Sequence, residues 1–350
     1  MLGIDRRAAR CTWTAALVVL LLCLIYLARV TLFIFVLALL FAYVLAPLVN
    51  LLDRFLPARR TRTPALALAY VLFVGAVIVV GIQIGSRAVD EANNLATKFP
   101  AMIESWQKPA PPGTRPLQDE VVNKIRTEVA ARSSDLIAEL PKAGLKAIAV
   151  ASDLVYVVII PILGFFFLKD GPAMRQHVLG MVAEGPRRAL FDDVLADLNL
   201  LLAGYMRALV LLSVGTFTAY AIFFSILGVP YSVLLAALAG VLEFIPMIGP
   251  LTAGAVIVVV AALAGAHALA VLIFLLVYRI FQDYVVSPHI MGQGVELHPL
   301  LVMFGVFAGA EVSGIPGAFL SVPVLALARI LYLRIRTARA DTLLTASSKP

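Results

Sequence analysis

Cysteine, charge and enzyme motifs are all scarce in this chain. Cys11 and Cys23 are its only cysteines, and a pair on one apolar segment offers neither a disulfide framework nor the ligand spacing of a zinc site. The water-exposed regions contain no Ser/His/Asp arrangement, no phosphate-binding glycine loop and no dinucleotide fingerprint. We therefore expect no metal, no cofactor and no enzyme activity.

Charged residues make up only 14% of the 350 positions, whereas 62% are hydrophobic, and the mean hydropathy is +0.99. A soluble domain of this composition would expose too much apolar surface, so we predict an all-α polytopic membrane protein. The apolar stretch 11–28 follows three arginines but lacks the small residues of a cleavage site, which predicts a retained helix. The net charge of +7 does not imply nucleic-acid binding, because basic residues gather at the ends of apolar segments.

Apolar segments divide the chain, and their basic flanks predict its orientation. The eight segments are 11–28, 30–52, 64–85, 147–168, 208–228, 231–264, 268–286 and 299–331. Basic residues near segment ends mark the cytoplasmic side, and their distribution places both termini there. The predicted regions are N-terminal transmembrane helices (1–85), an extracytoplasmic helical segment (86–146), a transmembrane helix (147–168), a cytoplasmic amphipathic helical segment (169–207), a transmembrane transport core (208–335) and a cytoplasmic tail (336–350).

The run from Tyr231 to Ala264 is apolar but is interrupted at 243–250. A simple span needs ~20 apolar residues, so each half is too short to cross a membrane alone. A second run, 299–331, is interrupted at 309–317. The charge pattern fits if both runs are Gly/Pro-broken re-entrant hairpins that enter from opposite faces, with about six full transmembrane helices around them. One broken full-length crossing per run preserves the same orientation, so that alternative stays open. Two full spans per run would leave each limb too short.

Ionisable side chains are few in the last third of the chain. A charge at the bilayer centre costs ~2.5–3.5 kcal/mol, so each immersed one is a functional candidate. Glu243 and Glu311 lie at the two interruptions. Each is expected either to cap the tip of a hairpin or to bind a coupling H⁺ or Na⁺, helped by carbonyls that Pro246 and Pro250 leave free. Arg279 and Asp283, spaced i to i+4, are expected either to neutralise each other or to form a gate or substrate contact. The predicted pathway residues are Glu243, Pro246, Gly249, Pro250, Arg279, Asp283, Glu311 and Gly314.

Glycine- and proline-rich motifs follow one another along the chain. They are Phe165-Phe166-Phe167-Leu168-Lys169-Asp170-Gly171, Gly228-Val229-Pro230-Tyr231, Phe244-Ile245-Pro246-Met247-Ile248-Gly249-Pro250, Ser287-Pro288-His289-Ile290-Met291-Gly292 with His298-Pro299, and Gly309…Gly314-Ile315-Pro316-Gly317…Val322-Pro323. Their order and spacing resemble those of the AI-2E family transporters from about residue 10 to 335. The resemblance implies structural roles for Lys169, Asp170, Gly171, Pro230, Pro288, Gly292, Pro299, Gly317 and Pro323. The family's usual Gly-Tyr-x-Arg-Gly-Gln reads Gly204-Tyr205-Met206-Arg207-Ala208-Leu209 here, so its last two positions differ.

This resemblance implies a transporter of the bacterial inner membrane. Family members are linked to export of the quorum-sensing signal autoinducer-2 or to Na⁺(Li⁺)/H⁺ antiport. The resemblance also implies a homo-oligomer, and we expect a pentamer. We expect a secondary transporter or exporter of a small, autoinducer-2-like solute, driven by an ion or solute gradient through alternating access. The alternatives are a Na⁺(Li⁺)/H⁺ antiporter of this family and a non-transporting oligomeric assembly or pore protein. The expected partners are a small molecule or ion and the lipid bilayer.

Overall fold

The structure, a computed structural model, describes residues 6–55, 63–107, 154–265, 267–287, 289 and 297–347, which are helical between short turns. The helices, labelled in chain order, are α1 Arg6–Leu27, α2 Arg29–Phe55, α3 Thr63–Val80, α4 Ser86–Gln107, α5 Leu154–Gly180, α6 Pro186–Leu227, α7 Ser232–Leu242, α8 Ile248–Leu263, α9 Ala268–Phe281 and α10 Pro299–Ser347. Short π-helical segments, Gly81–Gly85 and Gln282–Val286, follow α3 and α9. The described ranges contain no β-strand.

Several helices are built to lie in a membrane. The stretches that are long and apolar enough to cross one are Arg29–Phe55, Thr63–Glu104, Pro186–Leu227, Ala268–Val286 and Pro299–Thr337, and shorter apolar helices are Cys11–Leu27, Ser232–Leu242 and Ile248–Leu263. On α1, Trp13 and Leu27 are 69% and 74% exposed, as side chains that face lipid would be. The all-helical class is confirmed for the described residues, and these helices agree with a multi-pass membrane protein. The number of spans stays a prediction.

Helix α6 is the central element of the fold. It is one helix of 42 residues whose only proline is in the first turn, where a missing N–H is tolerated. It ends at Gly228, which adopts a φ of 69° that favours glycine. Helices α2, α7 and α10 pack against it. The predicted boundary between the cytoplasmic segment and the transport core, at 207–208, therefore lies inside a continuous helix.

Helices α7 and α8 pack against each other and are joined by the short break that begins at Glu243. Helix α4 contacts both of them. At the start of α7 the backbone N–H of Leu234 donates to a carboxylate oxygen of Glu91 at 2.8 Å, and near the end of α8 the side chain of Leu263 packs with Phe99. The start of α7 and the end of α8, which are the ends that lie away from the break, are therefore both beside α4.

Helix α10 folds back on itself at Gly314, whose φ of 64° and ψ of −145° are not helical. Before and after the reversal, Gly309 and Gly317 approach so closely that a Cβ on either would overlap the carbonyl oxygen of the other. Further from it, Gly305 meets the side chain of Leu325. Residues at increasing distance before the reversal therefore contact residues at increasing distance after it, as in two antiparallel limbs. We call 299–312 the first limb and 315–337 the second limb.

Ion pairs join α6 to its neighbours at the end opposite Gly228. The guanidinium of Arg334, on the second limb, lies 2.7 Å from Asp197 and 3.2 Å from Asp193. Arg175, on α5, lies 2.6 Å from Asp192. Helix α6 is therefore tied to both α5 and α10 by neighbouring aspartates on its first turns.

Some predicted features lie outside the described residues. These are the rest of the extracytoplasmic segment after Gln107, the motif positions Pro288 and Gly292, and the last three residues of the tail. Within the described part, α5 continues past the predicted end of its span at 168, through Lys169-Asp170-Gly171, to Gly180.

Candidate functional site

A strained backbone turn separates α7 from α8. Met247 has a φ of 64° and a ψ of −54°, a conformation that is costly for a residue with a side chain. The N–H of Ile248 donates to the carbonyl oxygen of Pro246 at 2.7 Å and closes a three-residue turn. Gly249 packs against the backbone of Leu242 so tightly that a Cβ would overlap that carbonyl. The Pro-Met-Ile-Gly sequence thus sets the backbone shape of the break.

Glu243, at the end of α7, is buried, with 8% of its surface exposed, and its two carboxylate oxygens have different partners. Oε1 accepts a hydrogen bond from Gln282 Nε2 at 2.5 Å and lies 3.7 Å from a guanidinium nitrogen of Arg279. Oε2 accepts a hydrogen bond from the hydroxyl of Thr216 at 3.4 Å. A buried carboxylate is tolerated only when it is paired and hydrogen-bonded. Helix α6, helix α9 and the π-helical segment that follows α9 supply these partners.

Arg279 lies between two carboxylates. Its Nε is 2.9 Å from Asp283 Oδ2, one helical turn further on, and its other side faces Glu243. The side chains of Arg279 and Asp283 are 39% and 46% exposed, so the cluster has an open side and a buried end. One guanidinium faces two carboxylates, which leaves a net charge of −1 when all three are ionised. The cluster is therefore one positive charge short of neutrality.

Aromatic side chains hold α6 and α9 in register beside this cluster. The Tyr278 hydroxyl is 3.2 Å from Thr216 Oγ1, and the Tyr278 ring packs against Tyr220 with centroids 5.1 Å apart. Phe223 and Phe274 stack with centroids 3.8 Å apart. These contacts fix the hydroxyl of Thr216 between Glu243 and Tyr278.

The second limb of α10 meets the break from another direction. The ring of Phe244, next to Glu243, lies 6.3 Å from the ring of Phe319. Both phenylalanines pack in one apolar cluster with residues of α2 and α6. In the same cluster the hydroxyl of Tyr205 is buried and has no hydrogen-bond partner among the described residues. The α7–α8 break and the second limb therefore share a single packing surface.

The structure brings some of the predicted pathway residues together and leaves others apart. Glu243, Arg279 and Asp283 form the charged cluster, with Pro246 and Gly249 at the break and Pro250 in the first turn of α8. Glu311 lies on the first limb near the reversal at Gly314, and both are exposed. Within the described part of the chain, Glu311 forms no ion pair or hydrogen bond with the charged cluster. The pathway role of all these residues stays a prediction.

Three polar residues of the site were not predicted from the sequence. They are Thr216, Gln282 and Tyr278. Gln282 adjoins Asp283, and its 3% exposure shows that its amide is enclosed with Glu243. Thr216 is 2% exposed within a mostly apolar helix. The sequence could have indicated it only as a polar residue among apolar ones.

Comparison with known proteins agrees with the motif pattern. The model of the AI-2E family transporters matches residues 15–337. The chain belongs to this family. The predicted resemblance is therefore confirmed over nearly the whole length of the protein.

Curated relatives of this AI-2E family protein are named for transport. YueF of Bacillus subtilis (strain 168), named as a transport protein, is 25% identical over 84% of this chain and 81% of its own length. A transport protein of Mycobacterium tuberculosis (strain CDC 1551 / Oshkosh) is 28% identical, over 83% and 79%. A protein of Halobacillus andaensis named sodium-lithium/proton antiporter is 24% identical, over 77% and 80%. Membership and these names support transport as the general function.

Proposed function

We propose that this AI-2E family protein is a secondary transporter of the bacterial inner membrane, with both termini cytoplasmic. It exports a small solute by alternating access and is driven by a cation gradient through Glu243. The observation that carries the proposal is the buried carboxylate of Glu243 at a break between two helices too short to span a membrane. An enclosed carboxylate beside irregular backbone is the arrangement by which transporters hold a coupling ion.

The charge of the cluster supports coupling to a cation. Two carboxylates share Arg279, so binding of one proton or monovalent cation makes the cluster neutral. A neutral cluster crosses a low-dielectric region at lower cost than a charged one. Movement of the break is therefore easier with the cation bound, which links the ion gradient to the conformational change.

Two re-entrant hairpins are part of the proposal. The outer ends of α7 and α8 both lie beside α4, which favours a hairpin over a broken full-length crossing. The antiparallel limbs of α10, in contact at Gly309 and Gly317, favour a second one. Irregular backbone at membrane depth must be covered by protein or by a water-filled cavity. The contact of Phe244 with Phe319 supports the proposal that the two hairpins meet.

The proposed binding site of the solute lies beside the contact of Phe244 with Phe319. Among the described residues, the surroundings of Phe244 and Phe319 are apolar, and the buried hydroxyl of Tyr205 there has no hydrogen-bond partner. A small, weakly polar molecule fits that chemistry, whereas autoinducer-2 is proposed as the solute on the family resemblance alone. A homo-oligomer, with the pentamer as first candidate, is proposed on the family resemblance, and it would cover the apolar faces that a single chain exposes.

A second candidate is Na⁺(Li⁺)/H⁺ antiport. It is favoured by the name of the relative in Halobacillus andaensis and by the net negative cluster around Arg279. In that case the two cations would be both cargo and driving force. A pore or a non-transporting assembly is the third candidate, and it would show bilayer conductance that does not saturate.

The experiment is a transport screen with purified protein in proteoliposomes under imposed pH and Na⁺ gradients, with autoinducer-2, Na⁺ and Li⁺ as cargo. Glu243→Gln should abolish gradient-driven flux while the protein elutes unchanged from a sizing column. Glu104→Gln, which changes an exposed carboxylate on α4, is the matched control and should transport normally. Full flux in Glu243→Gln would remove the coupling role.

A further inference from the structure

We infer that the coupling ion is the proton, and that it binds Oε2 of Glu243 along a chain of two hydroxyls, those of Thr216 and Tyr278. The inference rests on the proposed function, because it names the ion that acts at the proposed site. It is carried by the different partners of the two carboxylate oxygens and by the position of the two hydroxyls.

The Oε1 side of Glu243 offers no place for a proton. Its partners are the amide nitrogen of Gln282 and the guanidinium of Arg279, which donate N–H groups and cannot accept a hydrogen bond there. A proton placed on Oε1 would face these donors. Protonation of Glu243 is therefore directed to the other oxygen.

The partner of Oε2 is a hydroxyl group, which can change from hydrogen-bond donor to acceptor. A hydroxyl carries one proton and can both donate and accept. With Glu243 ionised, Tyr278 donates to Thr216, and Thr216 donates to Oε2. With Glu243 protonated, its O–H donates to Thr216, and Thr216 donates to Tyr278. Both states keep every hydroxyl in the chain hydrogen-bonded, so neither leaves a buried polar group unpaired.

The proton balance of this reversal is simple. Thr216 gives its proton to Glu243 Oε2 as it takes the proton of the Tyr278 hydroxyl, and Tyr278 takes a replacement from a hydronium ion, which becomes water. Tyr278 is half-buried and is followed in the sequence by Arg279, whose side chain is 39% exposed. No bond other than O–H bonds is made or broken, and the net result is one proton moved from solution to the carboxylate.

The same surroundings disfavour a metal cation at Glu243. Hard cations require several oxygen ligands, whereas the side chains that contact this carboxylate in the described part of the chain supply two N–H donors and one hydroxyl. The other titratable or charged groups around it are Asp283, behind Arg279, and Tyr220, against Tyr278. Once Glu243 is protonated, Arg279 and Asp283 remain as a neutral pair. The proton therefore completes the charge balance without adding ligands.

Infrared spectroscopy of the purified full-length protein in lipid bilayers tests this directly. A carboxylic acid C=O band should appear as the pH is lowered and should be missing from Glu243→Gln. In Thr216→Val the band should move to higher wavenumber, because the acid loses its acceptor. After a pH jump it should appear roughly tenfold to 100-fold more slowly in Thr216→Val and in Tyr278→Phe, at or below the low end of what a positioned proton-transfer group contributes. Thr216→Ser should restore the rate.

Tyr220→Phe is the matched control, because it removes a hydroxyl from the same aromatic group but not from the chain, and it should match the wild type. Replacing choline chloride with NaCl should not change the band. A band that is absent at every pH, a band displaced by Na⁺, or equal protonation rates in Thr216→Val, Tyr278→Phe and the wild type would overturn the inference. These spectra need no flux, so they separate proton binding from transport. If Glu243 titrates as described while Glu243→Gln transports normally, the coupling role of Glu243 is refuted and only the proton path to its carboxylate stands.

Discussion

The side chain of Glu91 on α4 accepts a hydrogen bond from the backbone N–H of Leu234, 143 residues further along the chain. Leu234 lies in the first turn of α7, where backbone N–H groups lack partners within the helix. A carboxylate there supplies an acceptor and also interacts favourably with the positive end of the helix dipole. Helix α4 therefore fixes the start of the α7–α8 pair.

Removal of this acceptor should loosen the start of α7. We expect Glu91→Ala to lower its local stability by ~1 kcal/mol, the typical value of a helix cap, and Glu91→Gln, which keeps an acceptor oxygen, to have a smaller effect. Hydrogen-exchange mass spectrometry of peptides covering 232–242 measures this as faster deuterium uptake. Asp90→Ala, a neighbouring exposed carboxylate on α4, is the control and should leave those peptides unchanged.

The close approach of Gly309 and Gly317 should make either position intolerant of a side chain. Because the obstacle is backbone, Gly317→Ala forces the limbs of α10 apart, and we expect a loss of ~1–3 kcal/mol in the free energy of unfolding. Gly254→Ala is the control, since its Cβ would have its nearest neighbour, Leu275, at 4.0 Å. Thermal unfolding in detergent compares the two. An unchanged midpoint for Gly317→Ala would contradict the packing of the limbs.

The sequence allowed the breaks to be predicted but not the partners of Glu243. Glycine and proline act on the backbone at their own positions, so the interruptions at Pro246 and Gly314 follow from local chemistry. The i to i+4 spacing of Arg279 and Asp283 is likewise local, and the two side chains are found in contact. Thr216 and Gln282, by contrast, are 27 and 39 residues from Glu243 in sequence. Their contacts depend on how α6 and α9 pack, which no local pattern contains.

The continuity of α6 was also not predicted, because the cytoplasmic segment and the transport core are predicted as separate regions that meet at 207–208. No proline lies near that point, and the nearby Gly204 lies within the helix and does not end it. A helix can leave a membrane and continue in water when its exposed face becomes polar. The division into regions therefore missed the helix that joins them.

Cysteine labelling can distinguish a hairpin from a broken crossing, because the start of α7 and the end of α8 lie on the same side of the membrane in a hairpin and on opposite sides in a crossing. The predicted hairpin over 231–264 enters from the outer face, so in a background with Cys11→Ser and Cys23→Ser, single cysteines at Ser232→Cys and His267→Cys should both react with a membrane-impermeant maleimide added outside cells. Glu184→Cys, whose native side chain is 91% exposed, should react only after permeabilisation. Reaction of Ser232→Cys and His267→Cys from opposite sides would show a broken crossing instead.

The ion pairs of Arg334 should contribute modestly to the stability of the protein, and the contribution should depend on salt. Exposed pairs are worth ~0.2–1 kcal/mol each. Arg334→Ala removes the ion pairs with Asp193 and Asp197, so it should lower the stability slightly at low ionic strength. The difference should shrink at high salt, where charges are screened. Thermal unfolding at the two salt concentrations measures this, with Arg336→Ala as control. A salt-independent effect of Arg334→Ala would point to packing and not to charge.

Helix α6 carries both Asp193 and Thr216, so the ion pairs with Arg334 and the hydroxyl at Glu243 belong to one rod. At ~1.5 Å per residue the two positions are about 35 Å apart along the axis. With Asp193 as the pivot, a tilt of only about 5° would displace Thr216 by ~3 Å, which is the full length of a hydrogen bond. The helix is in effect a lever arm, by which a small rotation at its Asp193 end is magnified into the making or breaking of a single contact at Glu243.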